Sequence, residues 1–266
     1  MNSHRMRHAA LTLGAVTAGL VLTAGPVSAI TFGTPDTTGR YANVGSLVVT
    51  VPDGRAFQAC TGTLIAPTVV LTAAHCLVAF PEDFELSVTF DAVIDADQDG
   101  LVDGDVTLLS GTSHAHPLFA SGGANNTYDV GVVVLDAPVA GVPLASLPAL
   151  GTLDAKAAQR ARYTAVGYGT VRSSKSGGMN SLGLGWRREY AGQSVNSVTK
   201  SWITLSMNPS TGNGGTCYGD SGGPHFNAAG VVVSVTVTGD RYCRSTDKTY
   251  RMDTADARDF LAPFLP

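Results

Sequence analysis

The chain has 266 residues, of which only 14% are charged, with 31 glycines and a formal net charge of −4. That length holds one large all-β domain or two ordinary ones. The low charge density and the absence of a basic cluster exclude a disordered chain, and they leave no patch to draw it to nucleic acid or an anionic membrane.

The chain opens with His4, Arg5, Arg7 and His8, then an apolar run over 9–24, then the small residues Val27-Ser28-Ala29. This is the layout of a secretory signal peptide cut after Ala29, so residues 1–29 are expected to leave and 30–266 to form one domain. A retained anchor is the alternative, but the apolar run is short for a membrane span and no later segment is long and apolar enough. Export to an oxidising compartment suits the four cysteines, an even number.

From residue 30 onward, short apolar runs alternate with Gly, Pro, Asn and Asp. Strands are expected at 45–51, 62–65, 69–72, 84–90, 106–109, 130–135, 161–166, 201–207, 231–237 and 249–252. Residues 153–158 can form about a turn of helix. A better helix runs over 253–264, where Asp253 or Thr254 can cap it and Phe260, Leu261 and Phe264 share one face. Many strands and little helix imply a sandwich or barrel.

Three segments carry chemistry. In Gly219-Asp220-Ser221-Gly222-Gly223-Pro224 the glycines let the backbone turn sharply around a serine, so that successive N–H groups can point at one spot. A serine hydroxyl becomes a nucleophile only with a base beside it and donors for the oxyanion. Thr72-Ala73-Ala74-His75-Cys76 places a histidine at a strand end, and Tyr128-Asp129-Val130 places an aspartate just before an apolar strand. Each has a plain alternative: a tight turn, a surface histidine, a strand-end carboxylate.

Together, in the order His, Asp, Ser, these segments resemble the trypsin/chymotrypsin family of serine peptidases over nearly the whole chain after residue 29. The resemblance implies two six-stranded antiparallel β-barrels with a C-terminal helix and the active site between them. It implies that Ser221 attacks the scissile carbonyl, that His75 moves the proton, and that Asp129 holds the imidazole. The N–H groups of Gly219 and Ser221 would form the oxyanion hole, and Ser234 would hydrogen-bond the aspartate. It also pairs Cys60 with Cys76 and Cys217 with Cys243, each bridge contributing about 2–4 kcal/mol. Zinc is a poor alternative for these cysteines, since no CxxC spacing is present.

Family members begin near Ile-Val-Gly-Gly, and their free amino group folds inward onto the aspartate preceding the nucleophile. Ile30-Thr31-Phe32-Gly33 resembles that start and follows the expected signal cut, so Ile30 and Asp220 are expected to pair. The family's pocket floor falls on Gly215, where trypsin-like members carry aspartate, so a preference for Arg or Lys is not expected. Thr216 and the Ser234-Val235-Thr236 segment would supply walls. Lys248 falls near a second floor position, favouring acidic side chains if it points inward and apolar ones if it points outward.

Asp95, Asp97, Asp99, Asp103 and Asp105 alternate along one loop and suit a structural calcium ion, although Val106 stands where an EF-hand carries glutamate. A solvated acidic turn is the alternative. No cofactor is expected for catalysis. Protein or peptide substrates, and a monomer acting outside the cell, are the expected partners and state. A fold relative serving as a binding module usually loses a triad residue, and none is missing. Esterase activity is a further rival, because the same acyl chemistry cleaves esters. Asn125-Asn126-Thr127 fits a glycosylation sequon without further support, and the Gly-rich stretch 176–185 is read as a surface loop.

Overall fold

In chain order the strands are β1 (Thr34–Pro35), β2 (Val44–Thr50), β3 (Ala56–Ala66), β4 (Val69–Thr72), β5 (Glu85–Thr89), β6 (Leu109–Ala115), β7 (Gly131–Leu135), β8 (Arg162–Gly167), β9 (Val171–Arg172), β10 (Leu182–Gly183), β11 (Glu189–Val198), β12 (Trp202–Ser206), β13 (Pro224–Phe226), β14 (Val232–Gly239) and β15 (Thr246–Arg251). Two short α-helices, α1 (His75–Val78) and α2 (Ala255–Leu261), and several 3-10 turns complete the regular structure among the described residues. This computed structural model describes residues 30–119, 128–172 and 182–266. The expected signal segment, the sequon at 125–127 and most of the 176–185 stretch lie outside the described residues.

Strands β2, β3, β4, β7, β6 and β5 close into one barrel. Strands β11, β12, β15, β14, β13 and β8 close into a second through the β11–β8 pairing, and β1 adds to the edge of β11. All the pairings between these strands are antiparallel. The chymotrypsin-like arrangement that the resemblance implied is therefore the one observed.

Leu47, Leu64, Val70, Val88 and Val133 fill the first barrel, and Tyr163, Ile203, Leu205 and Val233 fill one layer of the second. A third cluster lies along the seam, where Val44, Leu71 and Val130 meet Phe226, Val235 and Tyr250, and α2 covers it with Ala257 and Leu261. Thr254 caps that helix by accepting from Ala257 N at 3.3 Å, and a single 3-10 turn over Ala262–Phe264 follows it.

Arg188, buried between the barrels, ties them together. Its Nε donates to Asp36 at 2.9 Å, and its Nη1 donates to the carbonyls of Val44 and Phe90 and to the Tyr168 hydroxyl. A buried guanidinium is tolerable when its charge is paired and its donors are used, as here. Burial pushes the Tyr168 hydroxyl well above the usual tyrosine range, against the pull of Arg188, so it stays protonated and donates to Asp91 O at 2.8 Å.

Several elements depart from expectation: β1, β9, β10, β13 and α1 are additional short elements, β3 and β15 begin earlier than expected, and two departures have a plain cause. The strand expected at 106–109 begins only at Leu109 and runs to Ala115, because small polar residues there alternate across an exposed face. Strand β11, ten residues long, was not expected at all, since its buried positions include Glu189 and Gln193.

Candidate active site

His75 lies at the start of α1, immediately after β4, and its neighbour Cys76 is bonded to Cys60 on β3. Asp129 stands just before β7, 3% exposed. It accepts from His75 Nδ1 at 2.7 Å and from the His75 backbone N–H at 2.9 Å. Gly131 packs closely here, a Cβ there meeting the Leu77 side chain of the histidine helix at 2.6 Å and His114 O at 3.1 Å.

Ser221 comes from the second barrel, on the loop that follows Cys217, itself bonded to Cys243. The loop is docked onto β3 of the first barrel. Thr61 N donates to Ser221 O at 2.8 Å, while Thr61 Oγ1 and Gln58 Nε2 both donate to Gly219 O. Ser221 O and His75 Nε2 lie 3.6 and 3.7 Å from Cys76 Sγ, so the disulfide is the pivot on which both segments converge. Among the described residues no hydrogen bond joins the Ser221 hydroxyl to His75. Such bonds often tighten only when substrate displaces water.

Asp220 N donates to Cys217 O, and Gly219 between them has φ +94, which makes a type II turn. The Tyr218 carbonyl is held by Thr170 N at 2.6 Å, and peptide planarity turns the N–H of Gly219 the opposite way. Neither Gly219 N–H nor Ser221 N–H has an acceptor among the described residues, as an oxyanion hole requires. Gly222, at φ +79, is needed for packing as well: a Cβ there would lie 2.0 Å from Thr72 Oγ1.

Beside Ser221 opens a cavity of about 310 Å³ walled by Thr216, Tyr218, Thr236, Val237, Thr238 and Arg241. Several expectations are corrected here. Gly215 does not line the cavity: it pairs with Thr31 in both directions at 2.9 Å, and Met207 packs directly on its Cα. Lys248 faces outward, with its Nζ 4.3 Å from the ring centre of Trp202, because alternation along β15 buries Asp247 and Thr249 instead. Ser234 does not reach Asp129; its hydroxyl is buried without a protein partner among the described residues. The residue beside the serine loop is Thr236, whose N–H donates to Gly223 O and whose carbonyl accepts from Gly222 N. That slip of two residues leaves the same face inward, so periodicity alone does not reveal it.

The Ile30–Asp220 pair is not formed either. Asp220 is fully buried, with its oxygens taken by Gly169 N and Cys217 N, each at 2.8 Å. Burial pushes its carboxyl well above the usual range, against those two donors. Ile30 N lies instead 3.4 Å from Glu189 Oε2.

In the acidic loop, Asp95, Asp97 and Asp99 bring carboxylate oxygens within 4.8 Å of one another. Asp103 and Asp105 stand outside this group, and Asp103 accepts from Ala96 N instead. Burial raises the Asp95 carboxyl, against donation from Gly100 and Asp99 N–H groups. The set is therefore smaller than the sequence suggested, but three convergent oxygens suit a hard cation.

A cleft between two antiparallel barrels, with an imidazole–carboxylate pair from one and a serine loop from the other, defines a chymotrypsin-like hydrolase. The sequence matches the Trypsin family over residues 31–259, and the chain belongs to that family. It is 30% identical over 196 residues to a trypsin of Saccharopolyspora erythraea, covering 70% of this chain and 79% of that one. Among solved structures, HL collagenase superposes with a TM-score of 0.64 at 19% identity, covering 88% of this chain and 98% of its own. HBP gives 0.62 at 17%, covering 88% and 96%. These two likenesses concern the fold, while family membership makes the protein a serine-type endopeptidase acting on protein substrates. Sequence motifs pointed to His75, Asp129 and Ser221 but not to Gln58, Thr61 or Thr170. No local signal marks them, since their role is to hold a loop distant in sequence.

Proposed function

We propose that this protein is a secreted endopeptidase in which Ser221 is the nucleophile, His75 the general base and then acid, and Asp129 the group that orients the imidazole. The observations that carry this reading are the Asp129–His75 bond at 2.7 Å and a serine loop, converging on the same Cys76 Sγ, whose Gly219 and Ser221 N–H groups have no acceptor among the described residues. Ser221 Oγ adds to the scissile carbonyl as His75 Nε2 takes its proton. The N–H groups of Gly219 and Ser221 receive the developing oxyanion, and His75 returns the proton to the leaving amine. Water then repeats the sequence on the acyl-enzyme. With Lys248 turned away, the walls are threonines and Val237 with one charge of each sign, Asp240 and Arg241, so the cavity favours an uncharged side chain before the cut.

Signal removal after Ala29 accounts for secretion and gives a monomer starting at Ile30. A calcium ion held by Asp95, Asp97 and Asp99 would steady the loop without touching the chemistry. Addition of calcium is expected to raise the thermal midpoint, and Asp97→Asn to abolish that rise. The decisive experiment is a serine-directed covalent probe with peptide-library profiling on protein from the medium. Labelling at Ser221 with cleavage after uncharged residues is expected. A folded protein that does not label would return the fold to a binding role.

A further inference from the structure

Arg172, at the end of β9, is 3% exposed, as deeply buried as Arg188 between the barrels. The two differ in their partners. Arg188 sets its charge against Asp36. Arg172 donates from Nη1 to Tyr242 O at 2.7 Å, but its Nε and Nη2 are buried with no hydrogen-bond partner among the described residues. Those two nitrogens form one edge of the guanidinium, the edge that grips an anion through parallel N–H groups.

The neighbouring acid, Asp240, is spent on its own loop. Its Oδ1 accepts from Tyr242 N at 3.1 Å, and its Oδ2 accepts from the N–H groups of Arg244, Ser245 and Thr246 at 3.0, 2.7 and 3.0 Å. Arg244 brings a second cation instead. Burial first, and then Arg244, pull the Arg172 guanidinium below the usual arginine range, against Asp240. Water can take up a donor but cannot balance a charge, and a cation buried without a counter-charge is costly.

We propose that the Nε–Nη2 edge of Arg172, with Arg244 beside it, is a binding site for a small monoanion, a carboxylate or a chloride ion, on the outer face of the cavity wall. The site bears on the cleft because Arg172 holds Tyr242 O, and Tyr242 stands between Arg241 and Cys243, which line the cavity beside Ser221. The same wall is tied to the serine loop, since Tyr218 donates its hydroxyl to Arg241 O at 3.1 Å and Cys243 is bonded to Cys217. An anion that fixes the guanidinium therefore fixes the wall. Its effect on turnover rests on the peptidase reading, whereas its binding does not.

The test follows thermal midpoint and peptide KM as sodium chloride or sodium acetate replaces the bulky anion of MES buffer at constant ionic strength. Wild type should gain about 2–4 °C at saturation, and its KM should fall by about fivefold with kcat little changed. Arg172→Met should show neither response. In MES alone it should melt no lower than wild type, because it removes a charge that has no counter-charge. Arg244→Ser keeps the edge and should respond only at severalfold higher ion concentration, and it carries the test if the methionine variant does not fold. A response to acetate alone makes the site one for carboxylates, and a response to chloride alone makes it a halide site; either supports the proposal. A midpoint unmoved by both ions, or moved equally in Arg172→Met, overturns it, as does a wild-type ion requirement in Arg244→Ser. Wild type that responds to the ion but does not label at Ser221 keeps the anion site and overturns the peptidase reading.

Discussion

The first barrel encloses Leu47, Leu64, Val70, Val88 and Val133, each fully buried, with the Cys60–Cys76 bridge among them. The second encloses an apolar layer and, beside it, Gln193, His225 and Asp247, also without exposure. Asp247 Oδ2 receives His225 Nε2 at 2.9 Å and Gln193 Nε2 at 3.1 Å. Gln193 and Met207 in turn back the Gly215 segment that leads to the cavity wall. The first barrel is a platform whose useful residues sit at its rim. The second sets the shape of the cleft from inside, through buried polar groups that are paired on one atom each, while Gln193 Oε1, His225 Nδ1 and Asp247 Oδ1 have no partner among the described residues.

The largest expected effect breaks the division of labour across the cleft. Ser221→Ala should lower kcat by about 10⁴-fold or more with little change in thermal midpoint. Retention of a few per cent of peptide turnover would remove Ser221 from its role. Next, Arg188→Ala should cost about 3–5 kcal/mol in denaturant unfolding, since it leaves buried Asp36 without its cation. A loss below about 1 kcal/mol, the scale of a surface pair, would mean that the apolar seam alone holds the barrels together.

The contrast between interiors is sharpened by two further variants. Leu64→Ala should cost about 2–5 kcal/mol with KM for peptides unchanged. Asp247→Asn should cost less, about 1–3 kcal/mol, yet raise KM, because Gln193 behind Gly215 and His225 beside it lose the charge of their common acceptor. Equal KM effects from both would erase the distinction. The smallest effect is at Asp240, in the loop rimming the cavity. Burial raises its carboxyl, but the N–H groups of Ser245, Thr246, Arg244 and Tyr242 outweigh burial and hold it below the usual carboxylate range. A depressed value means that the stabilisation is present above the unfolded value of about 3.9 and is lost as pH falls through the folded one. Asp240→Asn should therefore cost at most about 1 kcal/mol at pH 7 after solvent screening. The gap from wild type should close below about pH 4.

These interiors also explain what was legible in the chain. Strand β4 was placed at 69–72, where it lies, because Val69, Val70 and Leu71 are all buried and nothing polar interrupts them except the terminal threonine. Strand β11 was invisible because Glu189 and Gln193 occupy inward positions, and an inward polar residue inverts the alternation on which strand reading depends. The C-terminal helix was legible from Thr254 and its apolar face, though it closes as a 3-10 turn at Ala262–Phe264.

The sequence by itself determined the family, the order of His75, Asp129 and Ser221, and the mostly β architecture. Such motifs are local: a glycine-flanked serine or a histidine beside a cysteine is written in consecutive residues. Only the tertiary structure decided that Thr236 rather than Ser234 flanks the serine loop, that Lys248 leaves the pocket, and that Glu189 rather than Asp220 faces Ile30. Each depends on register between strands or on the meeting of segments far apart, Ile30 and Glu189 being 159 residues distant. A shift of two residues keeps every side chain on its face, so hydrophobic pattern cannot distinguish the alternatives and backbone pairing must.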